Sequence, residues 1–170
     1  MYTCVVCFSF LSVFSISETF SSYIVWFTWQ MSSIPQFYLG YVDGANRSSH
    51  HAASATWVIF NPSNEFVDAG GIFLGHATNN LAEYEAIIAL MTNASALGIR
   101  SLVVRLDSEL IISQLTSHYT ICHPILYQKY LRVRFLERSF DVISYEHIPR
   151  TLNLLADSLA NDILDWHLAR

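Results

Sequence analysis

The sequence predicts an α/β domain: a five-stranded mixed sheet, its first three strands antiparallel, flanked by helices. Three observations carry this prediction. Between Phe37 and Leu74, three β-type runs are separated only by short turns. At Asn80 the pattern changes to helical periodicity. Beyond it, β-type and helical runs alternate to the end of the chain. The length of 170 residues suits one ordinary domain, at about 100–200 residues per domain.

Each element has its own warrant. Phe37–Asp43 reads as the first strand, ended by Asp43-Gly44. Ser54–Phe60 (SATWVIF) reads as the second, closed by the turn Asn61-Pro62-Ser63-Asn64. Phe66–Leu74 is the third, with Gly70-Gly71 expected as a bulge or bend. Asn80–Leu97 is a helix with Gly98 as its stop. Ser101–Leu106 is a buried-type strand, followed by a short helix over Ser108–Leu115. Pro124–Ser139 is a longer helix, with Ile125, Leu126, Tyr130, Val133, Leu136 and Phe140 on one side. Asp141–His147 is the last strand, and Asn153 to about Trp166 the last helix. No internal repeat or low-complexity segment interrupts this order.

Composition divides the chain unevenly. Overall 52% is hydrophobic and 14% charged, against a usual charged fraction of about 25%. That excludes intrinsic disorder for the bulk of the sequence. Residues 1–42 hold a single charge, Glu18. Residues 1–36 are therefore read as an apolar leader or flank, and 37–170 as the domain. The run Cys4–Ser17 is shorter than the roughly 20 residues a membrane helix needs, and it lacks the positive start of a signal peptide. A membrane anchor and a signal peptide rank behind the leader, and the nucleus or cytoplasm is expected over secretion. Cys4 and Cys7 have metal-ligand spacing, but no second pair completes a four-ligand zinc site. Three cysteines are too few for a disulfide framework. The net charge of −5 argues at first against a general electrostatic grip on nucleic acid.

Four carboxylates stand in unusual places. Asp43 and Asp107 each end a predicted strand, and the carboxyl ends of neighbouring strands are where open α/β sheets place ligands. Taken singly, each is explained equally well by capping or Asx-turn chemistry. Glu83 shares a helix face with Ile87, Leu90, Ala94 and Leu97, the face turned to the sheet, while Glu85 falls opposite. A charge on a buried stripe is costly unless paired or metal-bound. A capping box from Asn80 to Glu83 explains the spacing but not the inward direction. Asp157 lies early in the last helix, where the helix dipole alone accounts for it. Together the four form an oxygen-ligand set suited to Mg²⁺ or Mn²⁺. Two such ions, roughly 3.5–4 Å apart, clamp the attacking and leaving oxygens in phosphodiester hydrolysis.

Tyr41-Val-Asp43-Gly44, Thr78-Asn79-Asn80-Leu-Ala-Glu83, Leu106-Asp107-Ser108 and His147-Ile-Pro-Arg-Thr-Leu-Asn153-Leu-Leu-Ala-Asp157 occur in that order. This set resembles the type 1 ribonuclease H family, from about Phe37 to Trp166. It is most similar to the ribonuclease H domains of plant LTR-retroelement polyproteins and related reverse-transcriptase-like proteins. The resemblance implies the ribonuclease H-like fold and an endonuclease that cuts the RNA strand of an RNA–DNA hybrid. It implies two Mg²⁺ ions, with Mn²⁺ as a substitute, on Asp43, Glu83, Asp107 and Asp157. It implies no small-molecule cofactor. His147, ten positions before the last acid, matches a histidine that assists proton transfer or product departure, a role open to an imidazole. Asn79 and Asn80 match contacts to the hybrid that detect the 2′-OH, and Gly44 and Ser108 accompany them on the substrate side.

Two departures from the family pattern stand out. Glu109 occupies a place where the family often has glutamine, so it offers the substrate an acceptor that also repels phosphate. Ala52-Ala53-Ser54-Ala55 replaces glycines at the entry to the second strand. No basic, Trp-rich gripping insertion is present. Lys129, Arg132, Arg134 and Arg138 are its nearest substitute, with Arg134 and Arg138 opposing the apolar stripe, as phosphate contacts or as a solvated face. A monomer is expected. The alternative function is a catalytically weak or inactive nucleic-acid-binding module derived from a retroelement; a membrane-tethered protein rests on residues 1–36 alone. The charge count fits the first reading. Beyond Glu18, 13 acids face 9 bases, a net of −4, which equals the charge of the four candidate ligands.

Overall fold

The computed structural model describes residues 36–116 and 119–169. Residues 1–35 of the expected leader, Cys4 and Cys7 among them, lie outside the described residues. Residues 36–170 form one compact unit. Its strands are β1 (Tyr38–Arg47), β2 (Ala52–Phe60), β3 (Phe66–Gly75), β4 (Ser101–Leu106) and β5 (Val142–His147). Its helices are α1 (Asn79–Ala96), α2 (Glu109–Leu115), α3 (Pro124–Leu136) and α4 (Leu154–Leu168). The sheet order is β3-β2-β1-β4-β5. β1–β2 and β2–β3 are antiparallel, whereas β1–β4 and β4–β5 are parallel. The predicted ribonuclease H-like topology, with its first three strands antiparallel, is the observed one. No described helix is long and apolar enough to cross a membrane.

Strand alternation gives the sheet two working faces. Gly40 and Gly44 of β1 face α1. A Cβ on Gly40 would lie 2.5 Å from Leu90 Cδ2, so the missing side chain seats the fully buried Leu90. Asp43 of β1, Thr56 of β2 and Gly71 of β3 share a row on the opposite face, under α4. There Thr56 Oγ1 donates to Ala156 O at 3.0 Å and Ser54 Oγ to Ala160 O at 2.7 Å. Ala156 and Ala160 are fully buried, because only small residues let the helix backbone come that close to the strands. The main core lies between the sheet and α1–α3. Val42, Tyr84, Ile87, Leu102, Leu106 and Val133 are fully buried within it.

Several expectations are corrected. β1 does not end at Asp43-Gly44 but stays paired with β2 as far as Arg47↔Ala52, because β2 itself begins at Ala52. Gly70-Gly71 forms no bulge; the register shifts fall at Ala53/Ser54 and Ile59/Phe60. The glycines instead make room for side chains. A Cβ on Gly70 would meet Trp57 at 2.4 Å, and one on Gly71 would meet Ile163 at 2.1 Å. α1 is capped by Thr78, whose hydroxyl accepts from Leu81 N at 3.3 Å, and not by Asn80. Glu83 is thus five residues past the cap, and the capping box is absent. Leu97, expected on the inner face of α1, is 53% exposed beyond its last turn. Ile125, expected on the inner face of α3, is half exposed in that helix's first turn. α3 stops at Leu136, and Glu137–Ser139 tightens into a 3-10 turn.

Candidate active site

The cleft follows from where two central strands part. β1 and β4 pair from Tyr38↔Leu102 to Tyr41↔Arg105, and the ladder then ends. Beyond it β1 keeps only β2, while β4 continues beside β5 to Leu106↔His147. The gap between the carboxyl ends of adjacent parallel strands is the ligand position of open α/β sheets. Asp43 borders it on β1 and Asp107 borders it just after β4. Glu83 enters from α1, which reaches the strand because Gly44 has no side chain. A Cβ there would lie 2.4 Å from Glu83 N and 2.6 Å from the Ala82 carbonyl carbon. One carboxylate oxygen from each of Asp43, Glu83 and Asp107 falls within 4.8 Å of the others. The cleft has a volume of about 390 Å³, and Gly44, Asn46, Asn79, Ser108, Arg150 and Asn161 also line it.

Three carboxylates this close oppose one another's ionisation. Asp43 is pushed up to about 6, first by burial, then by the charges of Asp107 and Asp157; Arg150 and the Gly44 N–H act against the rise. Glu83 is raised well above the usual carboxylate range, chiefly by burial and then by Asp43 and Asp107. Glu83 Oε2 is buried without a hydrogen-bond partner. A buried, unpaired carboxylate oxygen is costly and calls for a cation or a proton. The donor set is all oxygen, which suits a hard divalent ion such as Mg²⁺ or Mn²⁺ better than zinc. The residues present therefore fit the metal that the sequence implied.

The fourth acid stands apart. Asp157, in the first turn of α4, is close enough to raise Asp43 but lies outside the group of three. Its carboxylate pairs with the Arg150 guanidinium. Asn161, one turn on, donates to the Asp157 carbonyl at 2.9 Å. α4 is held to the strand by Asn153, which is 1% exposed and donates from Nδ2 to Val42 O at 2.8 Å.

Of the residues singled out in the sequence, Asp43, Gly44, Asn79, Glu83, Asp107 and Ser108 meet in the cleft. His147 is exposed at the end of β5, in register with Leu106. Asn80 and Glu109 are not among the lining residues; Glu109 opens α2 behind its N-cap Ser108, where an acid suits the helix dipole. Arg134 is not on a solvated face. It lies over the Tyr130 ring, pairs with Glu137 at 2.8 Å and donates to Leu115 O, so its charge is engaged inside the α3 region. Arg138 remains exposed, over the Phe135 ring. Sequence reasoning missed Arg150, Asn153, Asn46 and Asn161. The first two lie inside the His147–Asp157 stretch that carries the family resemblance, and that membership is the signal that marks them.

Known proteins share this sequence pattern and fold. Residues 41–163 match the family model described as reverse transcriptase-like. The chain is 41% identical over 125 residues to a ribonuclease HI of Halobacterium salinarum, covering 74% of this chain and 63% of that protein. It is 36% identical over 124 residues to a bifunctional protein of Mycobacterium tuberculosis, covering 72% of this chain and 34% of that one. The chain thus spans less than two thirds of the curated relatives it matches. Among solved structures, the halobacterial RNase H1 superposes with a TM-score of 0.73 at 40% identity, over 75% of this chain and 97% of that one. LC11-RNase H1, solved in complex with an RNA/DNA hybrid, superposes with a TM-score of 0.73 at 29% identity, over 77% and 99% of the two chains.

Proposed function

The chain belongs to the type 1 ribonuclease H family, matching its reverse transcriptase-like model, and from that premise we propose that it is a divalent-metal-dependent endonuclease that hydrolyses the RNA strand of RNA–DNA hybrids. One observation supports this most. Asp43, Glu83 and Asp107 arrive from two strands and a helix to bring ligand atoms within 4.8 Å of one another, and one buried Glu83 oxygen has no partner. Two Mg²⁺ ions bound here would supply an activated water and stabilise the attacking and leaving oxygens of an in-line displacement.

The chain's own groups hold and orient. Asp43, Glu83 and Asp107 are the ligands of the inner site, and Asp157 completes the set at its edge. Gly44 lets α1 close on β1, which fixes Glu83 against Asp43. Asn79 and Ser108 line the cleft with polar groups able to meet the ribose 2′-OH, the feature that separates RNA from DNA. His147, exposed at the end of β5 beside β4, would carry a proton to the departing strand.

The test is cleavage of a hybrid labelled on its RNA strand, with and without Mg²⁺, by the full chain and by Asp107→Asn. The expected result is metal-dependent cutting that leaves 3′-OH and 5′-phosphate ends and is abolished by the substitution. Equal cutting by both proteins would overturn the site assignment. Hybrid binding with no cutting by either would establish a non-catalytic binding module instead.

A further inference from the structure

Among the residues that line the cleft, Arg150 alone carries a positive charge. It stands in the 3-10 turn Arg150–Leu152 that leads into α4. Its guanidinium pairs with Asp157, and the Arg150 side chain is 72% exposed, so among the described residues this pairing and the field of the acids hold it over the cleft. That field is felt in return, because Arg150 opposes the upward shifts of both Asp43 and Glu83. Asp157 lies near enough to act on Asp43, yet its oxygens are not gathered with those of the other three acids. The residue that distinguishes Asp157 from them is its partner.

We propose that Arg150 is the cleft's resident counter-cation: it competes with a divalent ion for Asp157, so that the edge of the metal centre loads more weakly than the Asp43–Glu83–Asp107 core. This rests on the metal-centre reading above. The physics is simple competition. A monovalent guanidinium tethered beside four acids screens their mutual repulsion without a metal, and a divalent ion reaching Asp157 must displace it and tolerate its charge nearby. Once displaced, the guanidinium remains at the mouth of the cleft, where a phosphate of the bound strand is the anion it would next meet. Arg150 is then a positioning residue: it sets when Asp157 becomes available and contacts the backbone of the substrate, not the reacting atoms.

An exposed ion pair moves an equilibrium by only a few fold, so the expected effect is modest, roughly two- to fivefold. The experiment is a Mn²⁺ titration of the full chain without nucleic acid, read by the electron paramagnetic resonance of the free ion. It compares wild type, Arg150→Gln and Arg150→Lys. The weaker Mn²⁺ site should tighten by about two- to fivefold in Arg150→Gln and stay close to wild type in Arg150→Lys, which keeps the charge. The gain should shrink in 0.5 M salt, since screening weakens a competing exposed charge, whereas a purely structural effect would persist. In an Asp157→Asn background, Arg150→Gln should no longer tighten the weaker site, leaving only a smaller effect through Asp43 and Glu83. At saturating metal, Arg150→Gln should raise KM for the hybrid more than it lowers kcat. Mn²⁺ binding that requires Asp43 but is indifferent to Arg150 overturns this proposal alone. Binding that is absent, or unaltered by Asp43→Asn, overturns the metal-centre reading and this proposal with it.

Discussion

Replacing Gly44 by alanine adds one methyl group at the point where α1 crosses β1. That methyl would sit 2.4 Å from Glu83 N, 2.6 Å from the Ala82 carbonyl carbon and 2.9 Å from Ala82 Cβ. Two of the three are helix backbone atoms, so no side-chain rotation relieves the clash. To restore an ordinary contact of about 3.4 Å, the first turns of α1 must retreat by about 1 Å, and the close-packed interior offers little slack for it. Overpacking of this kind costs about 1–3 kcal/mol of stability. The retreat carries Glu83 away from Asp43 and Asp107, and a misplacement of about 1 Å at a catalytic constellation costs on the order of 100-fold in rate. The assay is kcat/KM for hybrid cleavage at saturating Mg²⁺, with a thermal melt of the same sample. Gly98→Ala is the control. Gly98 has φ +77° and nothing within 4 Å of its missing Cβ, so alanine there strains only a local turn. It should cost about 1–2 kcal/mol of stability and leave kcat/KM unchanged. A Gly44→Ala protein with the rate constant and melting temperature of wild type would refute the argument that this glycine places Glu83.

Further outcomes follow from the same geometry. Without metal, stability should fall as pH rises from about 4 through 6. The folded state keeps a proton on Asp43 up to about 6, while the unfolded chain releases it near 3.9, so the native state binds more protons across that window and loses stability as they leave. Melts from pH 4.5 to 7.5 should show this slope, and Asp43→Asn should flatten it. Mg²⁺ should reverse the loss near neutral pH: at about 100 times its Kd it adds about 2.7 kcal/mol, visible as a raised melting temperature that a chelator abolishes and Asp107→Asn does not reproduce. Asn153→Ala removes the buried bond to Val42 O. It should cost about 1–2 kcal/mol in urea unfolding and lower kcat/KM as well, since α4 then carries Asp157 with less restraint.

Much of the fold was legible because its signals are local. Strand alternation, helical periodicity and the turn Asn61-Pro62-Ser63-Asn64 depend on neighbouring residues, and the element order and the three antiparallel strands emerged as expected. Glu83 was legible for a different reason: a charge on the sheet-facing side of a helix is out of place until its partners are known, and the structure does bury it, 3% exposed. What stayed hidden depends on contacts distant in sequence. Asp43-Gly44 reads as a turn, and only the register with Ala55 and Thr56 shows that β1 continues past it. Gly70-Gly71 reads as a bend, whereas Trp57 and Ile163 demand the space. Arg134 lies where a helical wheel turns it to solvent, but a long side chain can curl back to Glu137 and Leu115. Asn80 reads as a cap until Thr78, two residues earlier, accepts from Leu81 N.

The parallel pairing of β1 with β4 joins Tyr38 to Leu102 across the whole first half of the domain. The acids that gather around this pairing lie at positions 43, 83, 107 and 157, one in each quarter of residues 36–170. No single hairpin or helix hairpin holds two of them, so no isolated pair of elements presents the site. Contacts this remote in sequence form late and cooperatively. An ion bound at Asp43, Glu83 and Asp107 would therefore report on the joint opening of β1, α1 and β4, not on local fraying. In hydrogen exchange it should slow the amides of β1, β4 and α1 together, by one common factor.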